Sequence, residues 1–243
     1  LRPHPGQARC AANIRTLVAD SGILAAAHAE FQRNHVQDAY SIRCSPQVTG
    51  AVRDTADYAT TVANRELAAA IDNPVVTLDG RVVSNGNFHG APIAYVLDFL
   101  AIAVADLASI SERRTDRFLD VARNRGLNAF LADDPGVDSG HMIAQYTQAG
   151  IVSELKRNAT PASVDSIPSS AMQEDHVSMG WSAGRKLRRS IDGLARVLAI
   201  EILTAARAID LRTTDDTNTP APGTGAVVAR LRETVAGPGT DRY

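Results

Sequence analysis

Two short segments concentrate side chains that could bind an anion or transfer protons. One is Gln173-Glu174-Asp175-His176, in which three acid–base groups follow an amide. Helical spacing of the apolar residues after it predicts a long helix of about 35 residues. Carboxylates at the start of such a helix either stabilise its positive end or, when partly desolvated, bind or move protons. The residues alone leave both interpretations open.

The second segment covers residues 34–44 and places Gln37, Tyr40 and Arg43 three positions apart. In a helix, these three side chains would lie within an arc of about 120°. An amide, a phenol and a guanidinium can all donate hydrogen bonds, and a guanidinium can hold a carboxylate through two of them. The pattern predicts an anion site, and a surface turn with scattered polar residues is the alternative.

A third candidate is Phe88, in the loop Ser84-Asn85-Gly86-Asn87-Phe88-His89-Gly90. A lone phenylalanine in such an irregular loop is either a plug on the core or a wall of a ligand pocket. His89 has no partner at metal-ligand spacing, so we predict a structural role for it. Cys10 and Cys44 are the two cysteines of the chain. They indicate reduced thiols of a cytoplasmic protein, without a disulfide framework or a metal cluster.

The elements that must position these side chains are helices. Apolar spacing predicts helices over residues 7–31, 47–71, 91–121, 140–157 and 226–235, besides the long helix that ends near Arg212. Asp79-Gly80 between two valine-rich runs predicts a hairpin with a two-residue turn. The sequence therefore predicts an all-α fold, a long antiparallel helical bundle with one short β-hairpin.

The charge balance limits the partners that the chain could bind. Its 243 residues include 25 Lys+Arg and 27 Asp+Glu, for a net charge of −2. This balance gives no support for nucleic acid or an anionic membrane as a partner. Asp98 and Asp106 interrupt the most apolar run, residues 91–110, which we interpret as a buried helix rather than a membrane span. The mixed charges of residues 111–117 indicate a solvated or intersubunit face.

Seven stretches together carry a resemblance that covers nearly the whole chain. They are residues 2–7 (RPHPGQ), 36–44 (VQDAYSIRC), 72–74 (DNP), 86–89 (GNFH), 109–114 (SISERR), 164–168 (VDSIP) and 173–179 (QEDHVSM). In this order and spacing they resemble the C-terminal half to two-thirds of the histidine ammonia-lyase family, which shares its scaffold with the phenylalanine and tyrosine ammonia-lyases. Those relatives usually carry glutamine at the position of Glu174, so Glu174 favours the histidine branch.

The resemblance implies a carbon–nitrogen lyase that removes ammonia from L-histidine to give trans-urocanate. The family's electrophile is 4-methylideneimidazole-5-one, which forms from an internal Ala-Ser-Gly, and no metal is needed. The chain has no Ala-Ser-Gly, since Ser182-Ala183-Gly184 is a different triplet, and its first residue is Leu1. We therefore expect residues 1–243 to be the C-terminal helical portion of a lyase. The N-terminal part would be absent or on another chain, and the fragment alone inactive.

The resemblance also assigns roles to the candidate side chains. It implies that Arg43 binds the substrate carboxylate, that Gln37 and Tyr40 lie beside the substrate and the prosthetic group, and that Tyr40 donates or relays a proton. Phe88 would be an apolar wall, and Glu174 would hydrogen-bond the imidazole or help to move a proton.

The family further implies an ammonia-lyase/fumarase-like helical scaffold that assembles as a homotetramer, with each active site built from several subunits. Two alternatives remain open on the sequence. One is a phenylalanine or tyrosine ammonia-lyase or an aminomutase. The other is a non-catalytic helical assembly module, which the missing Ala-Ser-Gly favours.

Overall fold

Helices make up most of the computed structural model, which describes residues 2–34, 36–213 and 218–241. The helices are α1 (Pro5–Val18), α2 (Gly22–Asn34), α3 (Tyr40–Arg43), α4 (Ser45–Leu67), α5 (Ala91–Leu119), α6 (Met142–Asn158), α7 (Gly180–Arg212) and α8 (Pro222–Arg232). Strands β1 (Val75–Val76) and β2 (Val82–Val83) pair antiparallel, with Val75 opposite Val83. The predicted all-α fold with one short hairpin is confirmed.

The core lies around α5, which packs against α4, α6 and α7. Small buried residues, among them Ala101, Ala105 and Ala108, face these neighbours. Because alanine adds little bulk, the helices can approach closely, and larger side chains such as Leu155 and Leu187 fill the remaining space. Pro92 in the first turn of α5 is compatible with a helix start, since the missing N–H would have no partner there.

Contacts along α5 fix the direction of each neighbouring helix. Ser45 at the start of α4 lies beside Arg114 near the end of α5, so these two helices are antiparallel. α6 is also antiparallel to α5, since Gln145 in its first turn reaches Glu112 near the end of α5. Successive long helices thus alternate in direction. α5 and α7 consequently run parallel, and their N-termini share one end of the bundle.

α1 crosses α4 at an unusually close contact between backbones. The amide of Gly6 donates a hydrogen bond of 2.8 Å to the Asp54 carboxylate. A Cβ added to Gly50 would lie only 2.5 Å from the Cα of Gln7. The crossing therefore requires glycine at position 50, because any side chain would displace backbone atoms.

Two local predictions are wrong. Residues 7–31 do not form one helix, because the chain breaks at Asp20, whose φ is +60°, and Ser21 accepts a hydrogen bond of 3.1 Å from the Leu24 amide to begin α2. The hairpin turn contains three residues rather than two, because the Thr77 amide already donates to the Arg81 carbonyl at 2.9 Å. Gly80, with φ of +80°, closes that turn.

Within the described part of the chain, α5 is the one helix that is long and apolar enough to cross a membrane by length and composition. It packs against α4, α6 and α7. Asp98 on α5 is 3% exposed and pairs with Lys186 of α7 at 2.8 Å. It also accepts a hydrogen bond of 2.7 Å from the Ser163 amide. These contacts anchor the loop between α6 and α7 to the bundle.

We expect Gly50→Ala to lower the free energy of unfolding by about 3 kcal/mol, since the added methyl group must push the backbone of α1 away from α4. Urea unfolding followed by circular dichroism measures this change. Gly150→Ala on α6 is the matched control, because a Cβ there meets no atom within 4 Å. The control should be neutral or stabilising by up to about 1 kcal/mol. Equal midpoints for the two variants would contradict the close crossing.

Candidate functional site

Two of the predicted site residues lie on neighbouring loops at the N-terminal ends of α5 and α7. Phe88 belongs to residues 84–90, here called the Phe88 loop, and Glu174 belongs to residues 169–179, the Glu174 loop. The rings of His89 and His176 stack between the loops, with centroids 5.7 Å apart and planes inclined by 5°. A Cβ at Gly90 would lie 2.9 Å from the Ser178 hydroxyl. Phe88 and Glu174 therefore share one end of the bundle.

Glu174 does not cap α7, which begins only at Gly180. Its carboxylate instead accepts hydrogen bonds from the hydroxyls of Ser170 at 2.7 Å and Ser169 at 2.8 Å. The backbones of Ser169 and Glu174 also bond to each other in both directions. The capping interpretation is therefore wrong, because the carboxylate closes a turn rather than a helix end.

The hydroxyl of Ser170, followed by that of Ser169, lowers the pKa of the Glu174 carboxyl. The carboxylate is exposed and keeps a fixed orientation. Such a group can accept a hydrogen bond from a ring N–H of a ligand. The turn that holds it is strained, since Ser170, Ala171 and Met172 have φ values of +50°, +53° and +71°. Residues with side chains adopt this left-handed conformation at an energetic cost.

Tyr40 and Arg43 lie on α3, a single helical turn at the opposite end of the bundle. The guanidinium carbon of Arg43 is 4.4 Å from the centre of the Tyr40 ring, a cation–π contact. Both side chains are exposed. Gln37 is exposed as well but precedes the helix, so the predicted helical arc holds only for Tyr40 and Arg43.

Arg114 anchors α3 to the core, and the sequence interpretation missed it. Its Nε and Nη2 donate to the Glu201 carboxylate of α7, while Nη1 lies 3.3 Å from the Ser41 carbonyl of α3 and 3.4 Å from the Ser45 hydroxyl. The Ser111 hydroxyl donates to the same carboxylate at 2.5 Å. One ion pair therefore fixes the short helix that carries Tyr40 and Arg43.

Residues 111–117 are consequently not a simple solvated face. Ser111, Glu112 and Thr115 are buried. The usable signal was the spacing of positions 104, 108, 111, 115 and 119, which continues the buried stripe of α5 through polar residues. We interpreted the segment by its charged residues and therefore missed the buried stripe.

The two pairs of candidate residues are far apart within one chain. From Ala91, beside the Phe88 loop, to Arg114, beside α3, α5 rises about 35 Å. This distance exceeds the length of any amino acid. The structure therefore brings the Phe88 loop beside the Glu174 loop and Tyr40 close to Arg43, but it does not bring these two groups together in one chain.

A cavity of about 650 Å³ lies close to α3, between α2, α5 and α7. Ile42 lines it together with Arg114, Arg117 and Phe118, whereas Tyr40 and Arg43 do not. Tyr40, which is predicted to transfer a proton, and Arg43, which is predicted to bind the substrate carboxylate, thus lie outside this cavity. In the described ranges, no three His, Cys, Asp or Glu side chains are grouped so that they could hold a metal ion.

The prosthetic group that the family implies would not form from this chain. Ser182-Ala183-Gly184 lies within α7, where Ala183 is fully buried. Side chains that could bind such an electrophile are nevertheless present, since Gln37 and Tyr40 offer an exposed amide and an exposed phenol.

The fold and its candidate side chains can now be compared with known protein families. The family model for aromatic amino acid lyases matches residues 1–233, and the chain belongs to that family. The resemblance inferred from the seven sequence stretches is thereby confirmed.

Several individual proteins are similar to this chain over its whole length. A histidine ammonia-lyase of Streptomyces coelicolor is 65% identical over 100% of this chain and 47% of its own length. The solved histidine ammonia-lyase of Trypanosoma cruzi superposes with a TM-score of 0.88 at 40% identity, covering 100% of this chain and 44% of that structure. A tyrosine aminomutase structure gives a TM-score of 0.90 at 38% identity, with coverage of 100% and 48%. The chain spans about half the length of the curated relatives it matches.

We expect Arg114→Lys to destabilise the protein by about 2 kcal/mol, because lysine keeps the charge but cannot bond Glu201, Ser41 and Ser45 together. Amide hydrogen exchange over residues 40–45 should accelerate at least about tenfold. Arg230→Lys is the control, since Arg230 is 75% exposed and pairs only with the exposed Glu233 among its described partners. Unchanged exchange at α3 in Arg114→Lys would show that the ion pair does not hold the helix.

We expect Ser170→Ala to raise the pKa of the Glu174 carboxyl, since the hydroxyl lost is the largest cause of its lowering. In wild type, the lowered pKa keeps Glu174 ionised as the pH falls below the range in which an ordinary glutamate would bind a proton. The variant should therefore protonate at a higher pH. Carbon-13 NMR of the labelled Glu carboxyls measures the titration, with Ser153→Ala on α6 as the control. A Glu174 titration identical to wild type would contradict this account.

Proposed function

We propose that this chain is the helical half of an enzyme that eliminates ammonia from L-histidine to give trans-urocanate. The observation that carries the proposal is the 65% identity, over the whole chain, to a protein curated as a histidine ammonia-lyase. The described geometry supports it, because both candidate pairs offer groups that a histidine molecule needs: an acceptor for the imidazole N–H and a cation for the carboxylate.

Glu174 and Phe88 would hold the imidazole ring. The Glu174 carboxylate is ionised and oriented by two hydroxyls, so it can accept a hydrogen bond from a ring nitrogen of the substrate. Phe88 is 51% exposed on the adjacent loop and offers an apolar surface to the ring. Glutamate rather than a neutral amide at this position suits a substrate that carries an N–H donor.

Arg43 and Tyr40 would act on the amino-acid end of the substrate. The Arg43 guanidinium can bind the carboxylate through two hydrogen bonds, and its contact with the Tyr40 ring restrains both side chains. The Tyr40 phenol can then donate or relay a proton near the scissile bond. Gln37 can orient the substrate through its amide.

The reaction is difficult because the β-proton of histidine is weakly acidic and the amine leaves poorly. The 4-methylideneimidazole-5-one group, formed from an Ala-Ser-Gly outside this chain, would supply an electrophile that makes the amine a better leaving group. Gln37 and Tyr40 are the residues of this chain that would lie against it. The task of this chain is then to hold the carboxylate, orient the ring and transfer protons.

The separation of about 35 Å along α5 supports a site that is completed between subunits of a homotetramer. Tyr95, Phe99 and Ile102 form an exposed apolar stripe on α5, with exposed fractions of 60%, 46% and 48%. Two copies related by a two-fold axis could pack these stripes antiparallel. The Phe88 and Glu174 end of one copy would then approach the Tyr40 and Arg43 end of the other.

A tyrosine aminomutase is the second candidate, because its structure superposes over the entire chain with a TM-score of 0.90. Its 38% identity is well below the 65% of the histidine enzyme. Incubating the full-length protein separately with histidine, tyrosine and phenylalanine, and identifying the products by chromatography, separates the two. Urocanate as the dominant product supports the proposal. Formation of β-tyrosine or coumarate without urocanate would overturn it.

We expect mixed assemblies to show that the site is shared between chains. Arg43→Ala and Glu174→Ala should each abolish urocanate formation in the full-length protein. Co-assembly of the two variants in equal amounts should restore about a quarter of wild-type activity, if each site takes Arg43 and Glu174 from different chains and mixing is random.

The control for this experiment is the Arg43→Ala/Glu174→Ala double variant mixed with wild type. A site shared between two chains again leaves about a quarter of the activity, whereas a site within one chain leaves about half. An inactive mixture of the two single variants would show that both residues serve the same site from one chain.

A further inference from the structure

We infer that His89 and His176 form a clasp that sets the position of the Phe88 loop relative to the Glu174 loop, and through it the affinity for the imidazole-bearing substrate. This inference rests on the proposed function and adds two positioning residues to it. The sequence predicted a structural role for His89 and grouped His176 with the acid–base residues of its segment. The geometry gives them a more specific task.

The contact between the two histidines has a defined geometry. The two ring planes are nearly parallel, with an angle of 5° between them, and the ring centroids are 5.7 Å apart. This geometry is an offset stack. Nε2 of His89 lies 3.3 Å from the main-chain carbonyl oxygen of His176. Since a carbonyl only accepts hydrogen bonds, Nε2 carries the proton and donates it. The stack and the hydrogen bond together fix the distance and the orientation between the loops.

Each loop is braced internally before the clasp joins them. In the Phe88 loop, the His89 amide donates to the Gly86 carbonyl at 3.1 Å, and the Asn87 amide donates to the Asn85 side chain at 2.8 Å. In the Glu174 loop, the Ser169 amide donates to the Glu174 carbonyl at 2.9 Å, and the Val177 amide donates to the hydroxyl of Ser166, just before the loop, at 2.8 Å. Within the described residues, the His89 bond is the hydrogen bond that links the two loops. The clasp therefore couples two pre-formed units.

The histidines lie next to the side chains that they would position. His89 directly follows Phe88, and His176 is two residues beyond Glu174. A shift of one imidazole therefore moves either the apolar wall or the carboxylate acceptor. Because misplacement of a binding group by about 1 Å can cost as much as 100-fold, such a shift would be visible in kinetics.

The exposure of the two histidines distinguishes a positioning role from a role in core packing. His176 is exposed and His89 is half-buried, and neither belongs to a core cluster of the described structure. Removing either ring should therefore leave the bundle folded. A positioning role predicts a change in substrate affinity with little change in thermal stability.

The kinetic test uses His89→Ala, His176→Ala, the double variant and His176→Phe in the full-length protein. We expect His89→Ala to raise KM for histidine about tenfold while kcat changes less than about threefold. His176→Ala keeps the carbonyl that His89 bonds and should raise KM by a smaller factor. The double variant should be no worse than His89→Ala alone, because loss of the His89 ring already removes both the stack and the hydrogen bond. His176→Phe should stay near wild type, since phenylalanine keeps a flat ring and the same carbonyl. Additive effects, or a lowered melting temperature with unchanged kinetics, would overturn the clasp.

A second readout does not depend on activity. Hydrogen exchange should accelerate in residues 173–179 of His89→Ala and in residues 84–90 of His176→Ala, each across the clasp from the substitution. His4→Ala, at the exposed start of α1, is the control. If the wild-type enzyme forms no urocanate, the proposed function fails, while this exchange pattern still decides the clasp. Exchange that changes only in the substituted loop would overturn it.

Discussion

The length and rigidity of α5 constrain everything else in this structure. A continuous helix of 29 residues cannot shorten, so groups that depend on its two ends stay about 35 Å apart. The Phe88 and Glu174 loops depend on its N-terminus, and α3 depends on Arg114 near its C-terminus. The chain consequently presents two separate groups of candidate side chains, each with its own local supports. Partly buried ion pairs, Asp98 with Lys186 and Arg114 with Glu201, tie the two ends of α5 to α7.

The two ends are held by different kinds of interaction. At α3, the main support is the charged side chain of Arg114, whose guanidinium bridges α3, α4 and α7. At the end of the bundle that carries the two loops, the hydroxyls of Ser169 and Ser170 donate to Glu174. A strained turn and a pair of stacked rings complete the contacts there. Partly buried ion pairs resist solvent screening better than exposed contacts do. The α3 end is therefore the more firmly fixed of the two, and the loop end responds more readily to small changes in side chains.

Much of the fold was predictable from the sequence because helical periodicity is a strong signal over long segments. α4, α5, α6 and α7 lie where the apolar spacing placed them. The misses have two causes, which are local caps and turns that interrupt an apolar pattern and tertiary contacts that bury polar residues. Ser21 begins a second helix where an unbroken stripe was expected, and polar Ser111 and Thr115 are buried because α6 and α7 cover them. Glu174 was recognised as chemically important, but its hydroxyl partners could not be foreseen, since three successive left-handed residues leave no clear mark in a sequence without glycine.

The exposed stripe of Tyr95, Phe99 and Ile102 affects how a single chain behaves before any other surface covers it. Large apolar side chains in contact with water attract any apolar surface, including those of partly folded neighbours. Until another surface covers the stripe, a newly made chain is a substrate for aggregation and for chaperones. Assembly would then serve as quality control as well as architecture. By mass action, dilution of the proposed homotetramer would expose the stripe to water again.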